Sequence, residues 1–302
     1  MSGRDRSSRR APASQRPPTR RASWPTGPVP IATGTVELVA DPDDADAVTV
    51  LVNGVPSSYL DLADPTRLVF EYMQQFAAVV DRFDMSGGPL TVVHLGAAGC
   101  AFARWVHATR PGSQQIAVEL DTGLPELVRG WFDLPRSPAL RIRSGDAREQ
   151  LAAMADGSAD VVVRDVFAGD TTPAHVRTLE FTRDVARVLR PGGLYLANCA
   201  DRPPLTTTRA EVATLAEVFA DVAAVAEPAL LRGRGYGNVV LAGTDDAAVL
   251  PSAALDRAIR SLPAPARLLH GDELRAFRGA TPPLLDRAPE TAPETDAEPA
   301  DA

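Results

Sequence analysis

The sequence predicts an α/β fold, a mostly parallel sheet with helices on both faces. Three observations predict it. From residue 91 onward, β-rich apolar runs alternate with amphipathic segments at the spacing of β–α–β units. The first of those runs, TVVHLGAAG at residues 91–99, ends in Gly96 and Gly99 and leads into an amphipathic segment. That is the pattern of a buried parallel strand, a tight turn and a helix whose N-terminus faces a ligand. Finally, acidic residues close several later runs, and ligands of open α/β sheets bind outside the carboxyl ends of the strands.

In chain order, residues 1–30 are rich in Arg, Pro and Ser without periodicity and are expected to form a disordered basic arm. Residues 31–62 hold short β-rich runs at 35–39, 48–52 and 55–60, with a strong turn signal at Asn53-Gly54, and predict a small antiparallel hairpin unit. The main domain is expected over residues 63–280. Asp64-Pro65 caps a predicted helix at 66–82, which Ser86-Gly87-Gly88-Pro89 breaks. Seven strands follow, at 91–95, 115–120, 140–144, 160–164, 194–198, 222–226 and 238–242, the last two as a closing antiparallel pair. The intervening helices are predicted at 101–109, 124–132, 147–154, 174–189 and 207–219, with one more within 252–277. Residues 281–302 are Pro-rich and acidic and are expected to be disordered.

Composition sets bounds. The chain of 302 residues is 45% hydrophobic, ample for a buried core. A net charge of -8 argues against general nucleic-acid affinity. No apolar run approaches the roughly 20 residues of a membrane span, and no signal-peptide core follows the basic start. A cytoplasmic protein without a membrane or nucleic-acid partner is expected, and the two cysteines, Cys100 and Cys199, fit a reducing compartment. Every basic side chain except histidine is Arg, which reads as compositional bias and lowers the functional weight of any single arginine.

The strand ends supply the candidate site. Gly96 and Gly99 permit close approach of a nucleotide to the backbone. Glu119 closes the second strand, about 20 residues after the glycine turn, where an acidic side chain hydrogen-bonds ribose hydroxyls; capping of the next helix is its alternative role. Asp146, followed by Ala147 at a helix start, reads either as an N-cap or as a contact to an adenine amino group. Asp165 ends VVVRD and faces a polar loop, placing it to hold a substrate amine or take its proton; Asp170 or Thr172 is the better candidate for a turn or cap there. His94, Trp105 and Trp131 read as core, and the four histidines and two cysteines form no metal-ligand spacing.

These motifs resemble the polyamine aminopropyltransferases, the spermidine synthase family, and most closely the spermidine synthase-like proteins of actinobacteria. LVNGVPSSY (51–59) is similar to the family's N-terminal hairpin, and Phe70-Glu71-Tyr72-Met73 to its helix entry. HLGAAGC (94–100) stands at the glycine-rich turn, AVELD (117–121) at the ribose strand, and SGDARE (144–149) at the adenine turn. ADVVVRDVFAGDTTP (159–173) stands at the catalytic segment, and RGYGNVVLAG (234–243) resembles the late hairpin. LRPGGLYLAN (189–198) is shared with class I methyltransferases. The resemblance implies a class I methyltransferase-like fold with a seven-stranded sheet, and a possible homodimer. It implies no permanently bound cofactor, with decarboxylated S-adenosylmethionine or S-adenosylmethionine as co-substrate. Asp165 would be catalytic; Gly96, Gly99, Glu119, Asp146 and Ala147 would bind the nucleoside; Tyr72, Asp170 and Tyr236 would meet the amine. The turn reads Gly-Ala-Ala-Gly where the family has a glycine–aspartate pair, and Ala168 stands where the family has a second aspartate. S-adenosylmethionine-dependent methyl transfer and nucleoside binding without catalysis are the alternative functions.

Overall fold

The computed structural model describes residues 24–286. It opens with four strands, β1 (Val29–Ile31), β2 (Gly34–Ala40), β3 (Ala47–Val52) and β4 (Val55–Asp61), paired antiparallel in that order as a separate small sheet. The main unit follows with α1 (Glu71–Phe83), β5 (Thr91–Leu95), α2 (Ala101–Thr109), β6 (Gln114–Glu119), α3 (Leu124–Trp131), β7 (Arg141–Ser144) and α4 (Ala147–Ala152). Then come β8 (Ala159–Arg164), α5 (Leu179–Val188), β9 (Leu189–Asp201), α6 (Thr206–Ala216), β10 (Asp221–Ala226) and α7 (Pro228–Leu231). The chain closes with β11 (Gly237–Thr244), α8 (Ala253–Arg260), β12 (Arg267–His270) and α9 (Gly271–Arg278).

The second sheet runs β12-β10-β11-β9-β8-β5-β6-β7. Strands β5 to β9 pair in parallel, and β11, β10 and β12 continue the sheet antiparallel. The chain lays β6 and β7 on one side of β5, then returns to lay β8 and β9 on the other. The crevice between β5 and β8 is therefore the topological switch point, where an open α/β sheet binds its ligand. Successive side chains serve opposite faces, as the two-residue strand period requires. Val93, Val162 and Tyr195 pack under the helices that carry Leu151, Phe181 and Leu215. Their neighbours Val92, Val161 and Leu196 pack under those that carry Phe76, Phe102 and Leu255. A third apolar cluster joins Val48, Val50 and Leu60 of the small sheet to Ala103, Val128 and Phe132.

The structure departs from the sequence-based expectations at several elements. The sheet has eight strands rather than seven, because Arg267–His270 pairs with β10; four residues are too few to show a strand period. Helix α1 begins at Glu71, not at residue 66. Asp64 spends its carboxylate on the Thr66 amide and hydroxyl (2.9 and 2.6 Å), closing a local turn instead of capping a helix. The helix expected at 174–189 splits into a 3-10 turn, Ala174–Val176, and α5, whose cap is Thr178. Order also extends into both predicted tails. Trp24 meets Phe132 edge-on with ring centroids 6.1 Å apart, and Val29–Ile31 is a strand. At the other end the Leu179 N–H donates to the Leu284 carbonyl (2.7 Å), and the Leu284 N–H donates to Thr214 Oγ1 (2.9 Å). The remaining tail residues, 1–23 and 287–302, lie outside the described residues. Trp105 is core as expected, Trp131 is partly buried, and both cysteines are free and buried. Among the described residues, no helix is long and apolar enough to cross a membrane.

Beneath the switch point lies a fully buried ion pair. Arg164, at the end of β8, donates from Nη2 to Glu211 Oε2 on α6 (2.6 Å) and to the Asn198 carbonyl (3.1 Å), and from Nη1 to the Val176 carbonyl (3.0 Å). Both side chains are 1% exposed. Burial pulls the guanidinium's pKa down, but the Glu211 charge outweighs it and holds Arg164 firmly protonated. Truncating one partner leaves an uncompensated charge in the core. Glu211→Ala is therefore expected to lower unfolding stability by about 3–5 kcal/mol, read as a lower midpoint in urea denaturation.

Candidate active site

A cleft of about 720 Å³ opens at the carboxyl ends of β5, β6, β8 and β9, roofed by residues of β4 and the start of α1. Tyr72, Gly96, Glu119, Asp146, Ala147, Asp165, Asp170 and Tyr236 all line it. Gly96 adopts φ +92°, and a Cβ there would stand 2.2 Å from the Asp165 carbonyl oxygen. The residue is glycine because the ends of β5 and β8 come too close for a side chain. Gly99 has a different reason, and it does not line the cleft. Its N–H donates to Ser58 Oγ (3.0 Å), and a Cβ would collide with Ser58 and Leu60 of β4. The second glycine seats the small sheet on the turn.

Glu119 is held at the mouth of the turn. Its Oε2 accepts from the Ala97 and Ala98 amides (3.3 and 2.9 Å), and its Oε1 from the Asp121 amide (3.1 Å). Helix capping, its alternative role, falls to Asp121, whose Oδ1 accepts from the Gly123 and Leu124 amides (2.7 and 2.8 Å). The other Asp121 oxygen accepts from the Thr33 amide and hydroxyl (2.6 and 2.9 Å), tying the small sheet to α3.

Asp165 sits on the cleft floor between two donors. Tyr72 donates its hydroxyl to Oδ2 (2.9 Å), and Asn198 Nδ2 donates to Oδ1 (3.0 Å). Burial pushes the Asp165 carboxyl above the ordinary carboxylate value, while these two hydrogen bonds pull it back. Burial also drives the Tyr72 hydroxyl well up, with the Asp165 charge acting in the same direction. Asp146 is the N-cap of α4: Oδ1 accepts from the Arg148 and Glu149 amides (2.8 and 3.1 Å), and Oδ2 lies 2.8 Å from His175 Nε2. Asp170 turns its carboxylate outward to Arg202 at 3.5 Å, while its carbonyl accepts from the Tyr236 hydroxyl (2.9 Å). The Arg202 guanidinium lies over the Tyr236 ring.

Three cleft residues escaped selection as site residues in the sequence. Asn198 was visible only as a strand end, and His175 only as one of four histidines without metal spacing. His94, expected in the core, is buried but also lines the cleft; burial lowers it to about 4 and so keeps it neutral, against a hydrogen bond to Gln115 Oε1 at 2.9 Å. The lining as a whole has one sign. Glu71, Glu119, Asp146 and Asp165 contribute four carboxylates, Asp170 lines the rim with its own turned to Arg202, and no arginine stands among the lining residues. Among the described residues, no group of three or more His, Cys, Asp or Glu is placed to hold a metal ion.

The chain and its fold have known counterparts. No family model matches the chain. The crystal structure of a Corynebacterium glutamicum protein described as a probable spermidine synthase aligns over 89% of this chain and 99% of its own, with a TM-score of 0.84 and 35% identity. The polyamine aminopropyltransferase of Chromobacterium violaceum is 27% identical over 142 residues, 47% of this chain. That match spans 53% of the relative's length, so the chain covers about half of the curated aminopropyltransferase it matches. Human methyltransferase-like protein 13, solved in complex with SAH, shares the fold at a TM-score of 0.50 and 21% identity, over 64% of this chain and 94% of its own. The eight-stranded sheet is thus the methyltransferase-like Rossmann fold with an N-terminal β-sheet added. With 35% identity sustained over nearly the whole of both chains, the protein belongs to the spermidine synthase-like family.

Proposed function

We propose that the protein transfers an aminopropyl group from a decarboxylated adenosyl sulfonium donor to an amine. The observation that carries this reading is the placement of Asp165, between Tyr72 and Asn198, on the floor of a cleft lined by carboxylates alone among charged side chains other than histidine. A sulfonium and a protonated amine are both cations, and such a cleft concentrates them. S-adenosylmethionine also carries a carboxylate, which would find four like charges and no guanidinium along these walls. The family membership and the adenosyl ligand of the human structural neighbour support an adenosyl co-substrate.

In the proposed reaction the amine nitrogen attacks the donor carbon beside sulfur. The new C–N bond forms as the C–S bond breaks, the electron pair returns to sulfur, and methylthioadenosine leaves. The amine proton passes to Asp165. A carboxylate whose pKa is raised by burial is a better proton acceptor near neutrality than an exposed one. Tyr72 and Asn198 orient it, leaving the nitrogen to arrive in line with the sulfonium. Glu119 would receive the ribose hydroxyls and Asp146 the adenine. Methyl transfer from S-adenosylmethionine is a second reading, favoured by Ala98, since a turn without an aspartate repels the carboxylate of that donor less.

Calorimetric titration of decarboxylated S-adenosylmethionine, S-adenosylmethionine and methylthioadenosine separates the two. The aminopropyl reading expects the decarboxylated donor to bind more tightly than the carboxylated one; the reverse order would overturn it. Asp165→Asn is expected to lower kcat by about 10²–10⁴-fold, measured by methylthioadenosine release. Tyr72→Phe removes a donor that favours the ionised carboxylate, so the Asp165 pKa rises further. The rate needs the ionised form, so the acid limb of the pH–rate profile is expected at higher pH in this variant. An unmoved limb would remove Asp165 as the titrating base.

A further inference from the structure

Asp146 has one oxygen committed and one aimed by another residue. The Arg148 and Glu149 amides occupy Oδ1, which fixes the carboxylate at the helix start but leaves its rotation about the Cγ–Oδ1 direction open. His175 removes that freedom by meeting Oδ2 at 2.8 Å. Burial opposes ionisation of Asp146, but the His175 hydrogen bond and the two amides prevail and hold its pKa below the ordinary carboxylate value. An ionised carboxylate only accepts, so His175 Nε2 carries the proton in this pair. Both side chains line the cleft, together with Gly145, Ala147 and Pro173.

His175 is itself braced from outside the cleft. Its carbonyl accepts from Arg148 Nη1 (3.0 Å). Arg148 is in turn clamped by Asp286 through two parallel bonds, Nη1 to Oδ1 (2.7 Å) and Nη2 to Oδ2 (2.5 Å). Such a fork is both directional and strong. The Asp286 amide donates to Glu180 Oε2 (2.9 Å), and the preceding Leu284 is bonded to α5 and α6 as described above. A strap close to the chain's carboxyl end therefore reaches the cleft through three side chains: Asp286, Arg148 and His175.

We infer that His175 is a positioning residue for base recognition, which turns Asp146 Oδ2 toward the exocyclic amine of a bound adenine and is held in place by the Arg148–Asp286 clamp. The inference rests on the adenosyl-donor reading of the cleft. A carboxylate oxygen so aimed accepts from a 6-amino group and finds no donor on a 6-keto oxygen, so the arrangement confers adenine-over-hypoxanthine preference. Side chains that fail to aim Asp146 weaken the amino contact and leave a 6-keto nucleoside, which never makes it, nearly unaffected.

The test is calorimetric titration of the full chain with methylthioadenosine and with methylthioinosine. Wild type is expected to prefer methylthioadenosine. His175→Phe keeps the ring's bulk and removes the N–H; it is expected to weaken methylthioadenosine about tenfold, one hydrogen bond's worth, and to leave methylthioinosine within about twofold. His175→Gln, whose Nε2 can replace the imidazole N–H, is expected to restore methylthioadenosine binding to within about threefold of wild type. Asp286→Asn, on the exposed side of the clamp, is expected to fall between the two. Equal weakening of both nucleosides by His175→Phe, or wild-type affinity in that variant, overturns the positioning role while leaving the donor reading intact. Failure of wild type to bind either nucleoside overturns the donor reading and the inference together.

Discussion

The ends of β5 and β8 approach each other more closely than any side chain permits, and the site depends on that approach. Gly96 is the point of contact, with Asp165 on the facing strand. One consequence is proximity: the glycine turn and the Asp165 carboxylate, the proposed nucleoside and amine contacts, share one edge of the crevice. Another is rigidity. The Asp165 amide donates to the Leu95 carbonyl (2.8 Å) and the Gly96 amide to the Val118 carbonyl (3.0 Å), so three strand ends are locked in register at the place where chemistry would occur. Arg164 and Glu211 secure the same strand from beneath, and the Arg164 charge helps to offset the burial of Asp165.

Acidic side chains of the cleft are held by hydrogen bonds within the protein. Glu119 grips the amides of Ala97 and Ala98, Asp146 is fixed from two sides, and Asp165 is bracketed by donors. Residues 97 and 98 of the turn carry alanines rather than acids, and Ala98 takes a positive φ of 41°. A left-handed alanine is strained relative to glycine, and the Glu119 carboxylate accepts its amide at 2.9 Å.

Much of this was legible in the sequence, because strand period and strand-end position are local signals. Gly96, Glu119 and Asp165 close apolar runs, Asp146 follows the short strand RIRS, and the topology of an α/β sheet carries such positions to a common edge. The misread features share a different cause. Asp64-Pro65 looks like a helix cap until its carboxylate is seen to bind Thr66. Four residues of β12, and the few apolar side chains of the tails, gain their order only from what they pack against. Asn198 and His175 matter through partners 33 and 29 positions away in sequence, Asp165 and Asp146. No spacing rule in one chain reports such distant pairings. Gly99 was legible as a glycine but not for its reason, since the strand that excludes its side chain lies about 40 residues upstream.

That misreading of Gly99 bears on how the molecule is divided. By outline the four-stranded sheet is an accessory placed before a nucleotide-binding unit. By its bonds it is not separable: Ser58 satisfies the Gly99 amide, Thr33 occupies an oxygen of the buried Asp121, and Arg104 of α2 donates to the Asp61 carbonyl (3.0 Å). Cutting between the sheets would strand a donor at the glycine turn and open one side of a core carboxylate to water. The boundary drawn by secondary structure is not the boundary drawn by hydrogen bonds; β1–β4 and the glycine turn form one bonded unit.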